Sequence, residues 1–482
     1  MTTLLITGAT IIDGVADKPL TDSAILIDGG RIKAIGHREA LDVAPHVRTL
    51  DLAGKFVIPG LMNANVHLLV NASLETLLRF EGRYEALIEE AAQVALKAGM
   101  TTVFDTWGPR RALINVRDRI ESGETVGSRI RCAGNIIGFD GPFSPDFFGK
   151  AAEIASSWFV DRVNAAWVEN SGRHLMWMTP EQVGAEVSRY IERGIDFVKY
   201  GATEHGAMAA GAFLQFSERT QQAIVEAGRA AGRTVQAHST TVEGLRMSIE
   251  AGCDLITHCN MTGPVPIPVE TLDLFERTQC GAVIFPVTEA GLAHVKGAVS
   301  DLEWTMWSAG DKNARRLIGS GAPILLGNDG GVFAKELLRE PWLKATWNGM
   351  PEQEALGRLA TGHFAWLRAM EEKGMPAMDL LHAATRNIAR AYKLDTDLGT
   401  LEVGKIADMV VLDKDPLEAA DHYRSIHAVI KGGVSVDLDA LPERPLLTAE
   451  LAPPLEEEAN FKRFLVHGTR LPGCPSCISG GH

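Results

Sequence analysis

Five side chains able to bind a metal or move a proton stand where short apolar runs end. His67 closes Asn65-Val66-His67, and Lys199 lies in Asp196-Phe197-Val198-Lys199-Tyr200. His238 closes Val235-Gln236-Ala237-His238, His258 closes Leu255-Ile256-Thr257-His258, and Asp329 closes Leu325-Leu326-Gly327-Asn328-Asp329. Taken singly, each has an ordinary reading. A histidine at a strand end is more often a hydrogen-bonded rim residue than a ligand, a lysine after apolar residues snorkels, and an aspartate before Gly-Gly is a turn residue. Taken together they say more. Two histidines, a lysine and an aspartate at the exits of separate strands would all project into one barrel mouth, and such a cluster is costly to desolvate unless a cation organises it. Imidazole and carboxylate suit zinc, manganese or cobalt. A bound ion of that kind lowers the pKa of water toward ~7, so the chemistry implied is attack of hydroxide on a carbonyl.

The elements that must position these groups are legible along the 482 residues. The first sixty read as short strands and turns, with Ala24–Ile27, Asp28-Gly29-Gly30 and Arg31–Ile35 forming a hairpin signal. From about Pro59 to Tyr392 strand and helix alternate, the pattern of a parallel sheet with covering helices. Thr179-Pro180-Glu181 marks a helix start and Arg193-Gly194 its end. Eight strand candidates emerge: the segment ending near His67, then Thr102–Asp105, Ile130–Ile137, Ile195–Tyr200, Thr234–His238, Leu255–His258, Ala282–Pro286 and Ile324–Gly327. Eight interleaved strands fit a (β/α)₈ TIM barrel, whose active sites lie at the C-terminal strand ends. Strand texture returns at Asp408–Asp413 and Ile426–Ser435, so both chain ends are expected to build a small β-sandwich. The expected division is 1–58 and 393–440 for the sandwich, 59–392 for the barrel, and 441–482 for a Pro- and Glu-rich arm, mobile or strapped across a neighbouring subunit.

With Pro59-Gly60-Leu61-Met62 opening the first barrel strand, the strand-end residues above, and the return Gly399-Thr400-Leu401-Glu402-Val403-Gly404-Lys405-Ile406-Ala407-Asp408, the chain resembles the amidohydrolase superfamily over about residues 1–440. The resemblance is to its imidazolonepropionase-like and prolidase-like branch. It implies that Lys199 is carboxylated by CO₂, because a free ammonium cannot bind a cation. The family's first strand normally reads His-x-His, whereas Asn65 occupies the first position here. Asn offers a neutral amide oxygen, a weaker ligand than imidazole, so the metal position that depends on it and on Asp329 is weakened. The position built from carboxylated Lys199, His238 and His258 stays complete. One divalent ion per subunit, or a loosely held second, is implied. Within the superfamily, Asn-x-His is similar to the group that hydrolyses thiocarbamate (molinate) and phenylurea herbicides. By this resemblance Asp329 is a ligand or the proton carrier, His67 a ligand or a donor to the oxyanion, and Asn65 an orienting group for water or substrate.

Substrate signals are weaker. The insertion from Phe143 to Trp177 holds Phe147, Phe148, Trp158, Phe159 and Trp167, which either line an apolar pocket for a hydrophobic amide, urea or carbamate or pack the insertion onto the barrel. The segment Gly201 to Phe213 is either a loop beside the site or structural filler. A dipeptidase-like or prolidase-like activity on N-acyl amino acids would need a cationic clamp that no arginine announces, and a metal-free scaffold on the same fold is the third reading. A net charge of −14 with no basic run argues against nucleic acid and anionic membranes as partners. The start lacks a basic secretory leader, and six scattered cysteines read as reduced thiols of the cytoplasm. Cys474-Pro475-Ser476-Cys477 has redox or half-site spacing without a second pair. A terminal arm on a large apolar chain is compatible with a homo-oligomer.

Overall fold

The turn at Gly29-Gly30 sets the first sheet: both residues have positive φ, 59° and 80°, as a two-residue hairpin of right-handed twist requires. It joins β2 (Leu20–Asp28) to β3 (Arg31–His37), with Ile27 opposite Ile32. The computed structural model describes residues 3–44, 46–69, 74–147, 149–204, 213–333 and 355–449. In it β1 (Leu4–Ile11), β4 (Arg48–Asp51) and β5 (Phe56–Pro59) complete the N-terminal contribution. Strand β1 runs unbroken through register shifts on either side of Ala9.

Eight barrel strands follow: β6 (Leu61–Val66), β7 (Met100–Asp105), β8 (Arg129–Cys132), β9 (Val198–Gly201), β10 (Val235–His238), β11 (Leu255–Thr257), β12 (Gly281–Ile284) and β13 (Ile324–Leu326). They form two parallel arcs, β6-β7-β8 and β9-β10-β11-β12-β13. The arcs close on each other through bridges Ile137–Tyr200 and Val66–Gly330. Strand β8 ends earlier than its sequence suggests. Asn135 leaves the ladder to bond Phe139 O and Ser171 Oγ, and the chain rejoins the sheet at Ile137, whose N–H donates to Lys199 O. Strands β6 and β7 are buried at every position, as a barrel covered by helices demands. The helix Pro180–Ile191, which delivers β9, starts on the expected cap: Thr179 and Gln182 exchange a reciprocal pair of bonds.

The chain then returns through β14 (Met409–Leu412), β15 (Ile426–Lys431) and β16 (Val434–Ser435). Strand β14 pairs antiparallel with β5, Met409 opposite Pro59, so the two sequence signposts flanking the barrel lie side by side. One eight-stranded sheet results, curled so that Ile32 N bonds Lys405 O and Ala407 N bonds Gly30 O. Its inside is packed by Leu4, Ile6, Ile25, Ile27, Met409 and Val411. This is a TIM barrel with a small β-structure built from both chain ends.

Two expectations need revision or lie outside the described residues. Residues 441–449 are neither free nor strapped elsewhere: Leu441 packs with Leu96 and Val429, and Glu90 of the barrel helix Tyr84–Lys97 accepts from the N–H groups of Leu447 and Thr448. A buried carboxylate there captures the first residues of the arm. The Cys474–Cys477 pair, with most of the arm, lies outside the described residues; Cys132, Cys253, Cys259 and Cys280 are buried free thiols. No described helix is long and apolar enough to cross a membrane.

Candidate active site

Asn65, His67, His238, His258 and Asp329 stand at or just past the C-terminal ends of their strands, whereas Lys199 is the second residue of β9; most of them meet at one carboxylate. Asp329 Oδ1 accepts a short hydrogen bond from Asn65 Nδ2 and lies 3.2 Å from His67 Nε2, while its Oδ2 lies 3.7 Å from His258 Nε2. His238 joins the group through its ring, edge-on to His258 at 4.6 Å. Lys199 does not touch Asp329. Its Nζ donates to Thr257 Oγ1 at 2.6 Å, directly before His258 in the chain, and it is 2% exposed. Thr257 was not singled out in the sequence.

The backbone bends to bring these groups together. His258 and Asp329 sit in the left-handed region, with φ of 65° and 50°. Such conformations cost about 1–3 kcal/mol each and gather at functional sites. They are held by Met261 N on His258 O and by Asp329 N on Asn65 O. Gly327 permits the close approach of β13: a Cβ there would stand 2.3 Å from Val283 and 3.1 Å from Asn65. A strain test separates held from relaxed backbone. His258→Asn, which tolerates positive φ, should be more stable than β-branched His258→Val by about 1–3 kcal/mol in urea unfolding. Equal stabilities would mean that the backbone relaxes at no cost.

Charge follows from burial and neighbours. Burial works against ionising Asp329, yet His258, His67 and Lys199 together hold its carboxyl well below the usual carboxylate range. Burial pushes the Lys199 amine down to about 7, with Asp329 opposing. A further carboxylate, Asp105, escaped the sequence reading although it ends β7 by the same rule as the others. It is fully buried and accepts from Leu68 N at 2.7 Å and Trp107 N at 3.2 Å. Burial raises it to about 7 against the opposing charge of His67. Asn65 uses both ends of its amide, accepting from Thr106 Oγ1 while donating to Asp329. It is therefore engaged as a positioning group for Asp329.

The donor set suits a divalent ion of the zinc, manganese or cobalt kind: three imidazoles and a carboxylate. His67 Nδ1 is buried with no hydrogen-bond partner among the described residues, a nitrogen left available in an otherwise satisfied cluster. The spacing is that of a hydrogen-bonded cluster: no three His, Cys, Asp or Glu side chains among the described residues already stand as a ligand group. Lys199 would contribute only after carboxylation, which needs the neutral amine that its burial favours.

Aromatic rings flank the cluster. Trp107 meets His67 edge-on at 6.2 Å and stacks on Phe147 at 3.6 Å. Phe147 also meets Phe139, whose ring lies 5.7 Å from His238, and Phe285 stacks on His258 at 4.5 Å. The insertion's aromatics thus divide. Phe147 reaches the site, Phe159 and Trp167 are buried as packing, and Trp158 is exposed. Phe148, and most of the segment Gly201 to Phe213, lie outside the described residues.

Comparison with known proteins points one way on fold and two ways on chemistry. The model of the "Amidohydrolase family" matches residues 306–436. Among solved structures, molinate hydrolase superposes with a TM-score of 0.87 at 37% identity, covering 94% of this chain and 99% of that one. Phenylurea hydrolase B gives 0.87 at 33%, covering 93% and 100%. Among curated sequences, a 5-methylthioadenosine/S-adenosylhomocysteine deaminase of Thermoanaerobacter pseudethanolicus is 22% identical over 91% of each chain. An L-hydantoinase of Paenarthrobacter aurescens is 24% identical over 86% of this chain and 87% of its own.

Proposed function

The chain belongs to the amidohydrolase family, and on that premise we propose that it hydrolyses the C–N bond of a small hydrophobic amide, urea or carbamate, or the C–S bond of a thiocarbamate, with a divalent metal ion. The observation that carries this reading is the convergence of Asn65, His67 and His258 on the ionised carboxylate of Asp329, beside a buried lysine amine. Similarity to a molinate hydrolase and a phenylurea hydrolase over nearly the whole chain supports the substrate class.

Carboxylated Lys199, His238 and His258 would hold the ion, with His67 and Asp329 as further donors. When bound, it supplies the Lewis acidity that brings water near neutrality within reach of deprotonation. The chain's own groups do the rest. Asp329 takes the proton of the attacking water and returns it to the leaving nitrogen or sulfur. Asn65 fixes one oxygen of that carboxylate, leaving the other to face the reaction. His67 holds the same carboxylate through Nε2, which would leave Nδ1 for the ion. Trp107, Phe139 and Phe147 supply apolar surface for the substituents flanking the carbonyl.

A substrate panel with elemental analysis tests the reading. Aryl ureas, anilides and thiocarbamates should turn over on metal-bearing protein, ahead of N-acyl amino acids, hydantoins and adenosine-type amines. Turnover confined to N-acyl amino acids would put a prolidase-like enzyme in its place, and protein with neither metal nor turnover would be a scaffold. In the same assay Asn65→His should raise metal bound per chain by supplying an imidazole. Unchanged metal content would remove Asn65 as a determinant of the metal site.

A further inference from the structure

At the opposite end of the barrel, where the strands begin, lies a cavity of about 610 Å³. It is lined by residues just before β11, around the start of β12 and just before β13, including Asp254, Gln279 and Pro323, and by three arginines, Arg229, Arg386 and Arg390. In a chain of net charge −14, none of these three forms an ion pair with a described acid. Among the described residues Arg229 Nη2 reaches only Gly252 O, at 3.5 Å. Arg386 bonds Gly14 O and His382 Nδ1, both uncharged contacts, and its Nε is buried without a partner among the described residues. Asp254, the acid in the lining, is committed elsewhere: it accepts Val235 N at 2.7 Å and faces Lys393 at 3.7 Å. Burial and the neighbouring Arg390 depress Arg386's pKa while Asp379 opposes them, as expected of like charges sharing a space.

From this we infer a second binding site, away from the catalytic cluster, that takes the phosphate group of a small molecule. Guanidinium forks match tetrahedral oxyanions, and several around one space favour a multiply charged one. The volume falls within the ~300–1,000 Å³ of small-molecule sites, leaving room for an organic substituent on the phosphate. Thr278, Gln279 and Asn387 in the lining offer polar contacts to such a substituent.

Titration calorimetry of the full chain with inorganic phosphate, glycerol phosphate and glycerol tests the site. Either phosphate should bind one per chain while glycerol does not, the tighter of the two identifying free or esterified phosphate as the source. Arg229→Gln/Arg390→Gln changes two exposed residues and should weaken binding roughly tenfold or more at an unchanged melting temperature. Arg386→Gln should do the same, and the double variant keeps the test valid if loss of the Gly14 contact unfolds that chain. Absence of phosphate binding, or equal affinity in the wild-type and double-variant chains, overturns the inference; the second result would place the ion at the catalytic end.

Discussion

Asp329→Asn is expected to lower kcat by about 10²–10⁴-fold, the range general acid–base groups supply, while the chain stays folded. Asparagine keeps the shape and is among the residues that tolerate the observed φ of 50°. It can still accept from Asn65 and His67. What it lacks is the charge to take a proton. Because the carboxyl is held well below its ordinary range, wild-type Asp329 remains ionised across any assay above pH 4. Its protonation therefore cannot shape the pH–rate profile there. Its contribution to stability has the same sign: a depressed folded pKa gives stability that is present above the unfolded value, about 3.9, and fades only as pH falls through the folded one. Steady-state kinetics with a melting curve check both halves. A variant of near-native kcat would end the role of Asp329 as proton carrier, whatever its metal content.

What could be read from the sequence follows from what each signal depends on. Strand ends at His67, His238, His258 and Asp329 are local features, set by an apolar run and the residue that closes it. The Thr179 cap and the Gly29-Gly30 turn are equally local, and both stand as expected. Asp105 was within reach of the same rule, but a lone aspartate closing Thr102–Asp105 gives no hint that it will be fully buried under the N–H groups of Leu68 and Trp107. The aromatic insertion shows the limit more clearly. Phe147, Phe159 and Trp158 lie close together in sequence, yet one touches Trp107, one packs inward and one faces solvent. Only the partners across space decide among them. The same holds for residues 441–449, whose Pro- and Glu-rich composition suggests an arm, mobile or strapped across a neighbouring subunit, and whose anchor, Glu90, is some 350 residues away in sequence. The three arginines at the barrel floor belong to this class as well, since each is unremarkable in its own segment.

Replacing Lys199 by methionine should abolish metal retention and turnover together, with activity falling on the order of 10³-fold or more if the metal-activated water is lost. The same variant should make the metal-free chain more stable near neutrality. The two effects share one cause. A buried lysine whose folded pKa is near 7 rather than 10.5 carries fewer protons in the native state than in the unfolded one between those values. Stability of the metal-free wild-type chain therefore rises with pH across roughly 7 to 10.5, the destabilisation being fully present below that window. Methionine removes the ionisable group, so its chain should show no such rise. The neutral amine that burial favours is also the species able to add to CO₂: nitrogen bonds to carbon, a proton leaves to solvent, and the product is an anion a cation can use. Reconstitution with metal and bicarbonate should be faster at pH 8 than at pH 6, and ¹³C-labelled bicarbonate should give a carbamate resonance in the wild-type chain that Lys199→Met lacks. Thr257, which now accepts from the lysine, keeps its own bond to Ala237 O, so the variant leaves that strand end satisfied. A fully active Lys199→Met chain, or a wild-type chain that binds metal without the resonance, would remove the carbamate from the mechanism and leave His238 and His258 to hold the ion with Asp329.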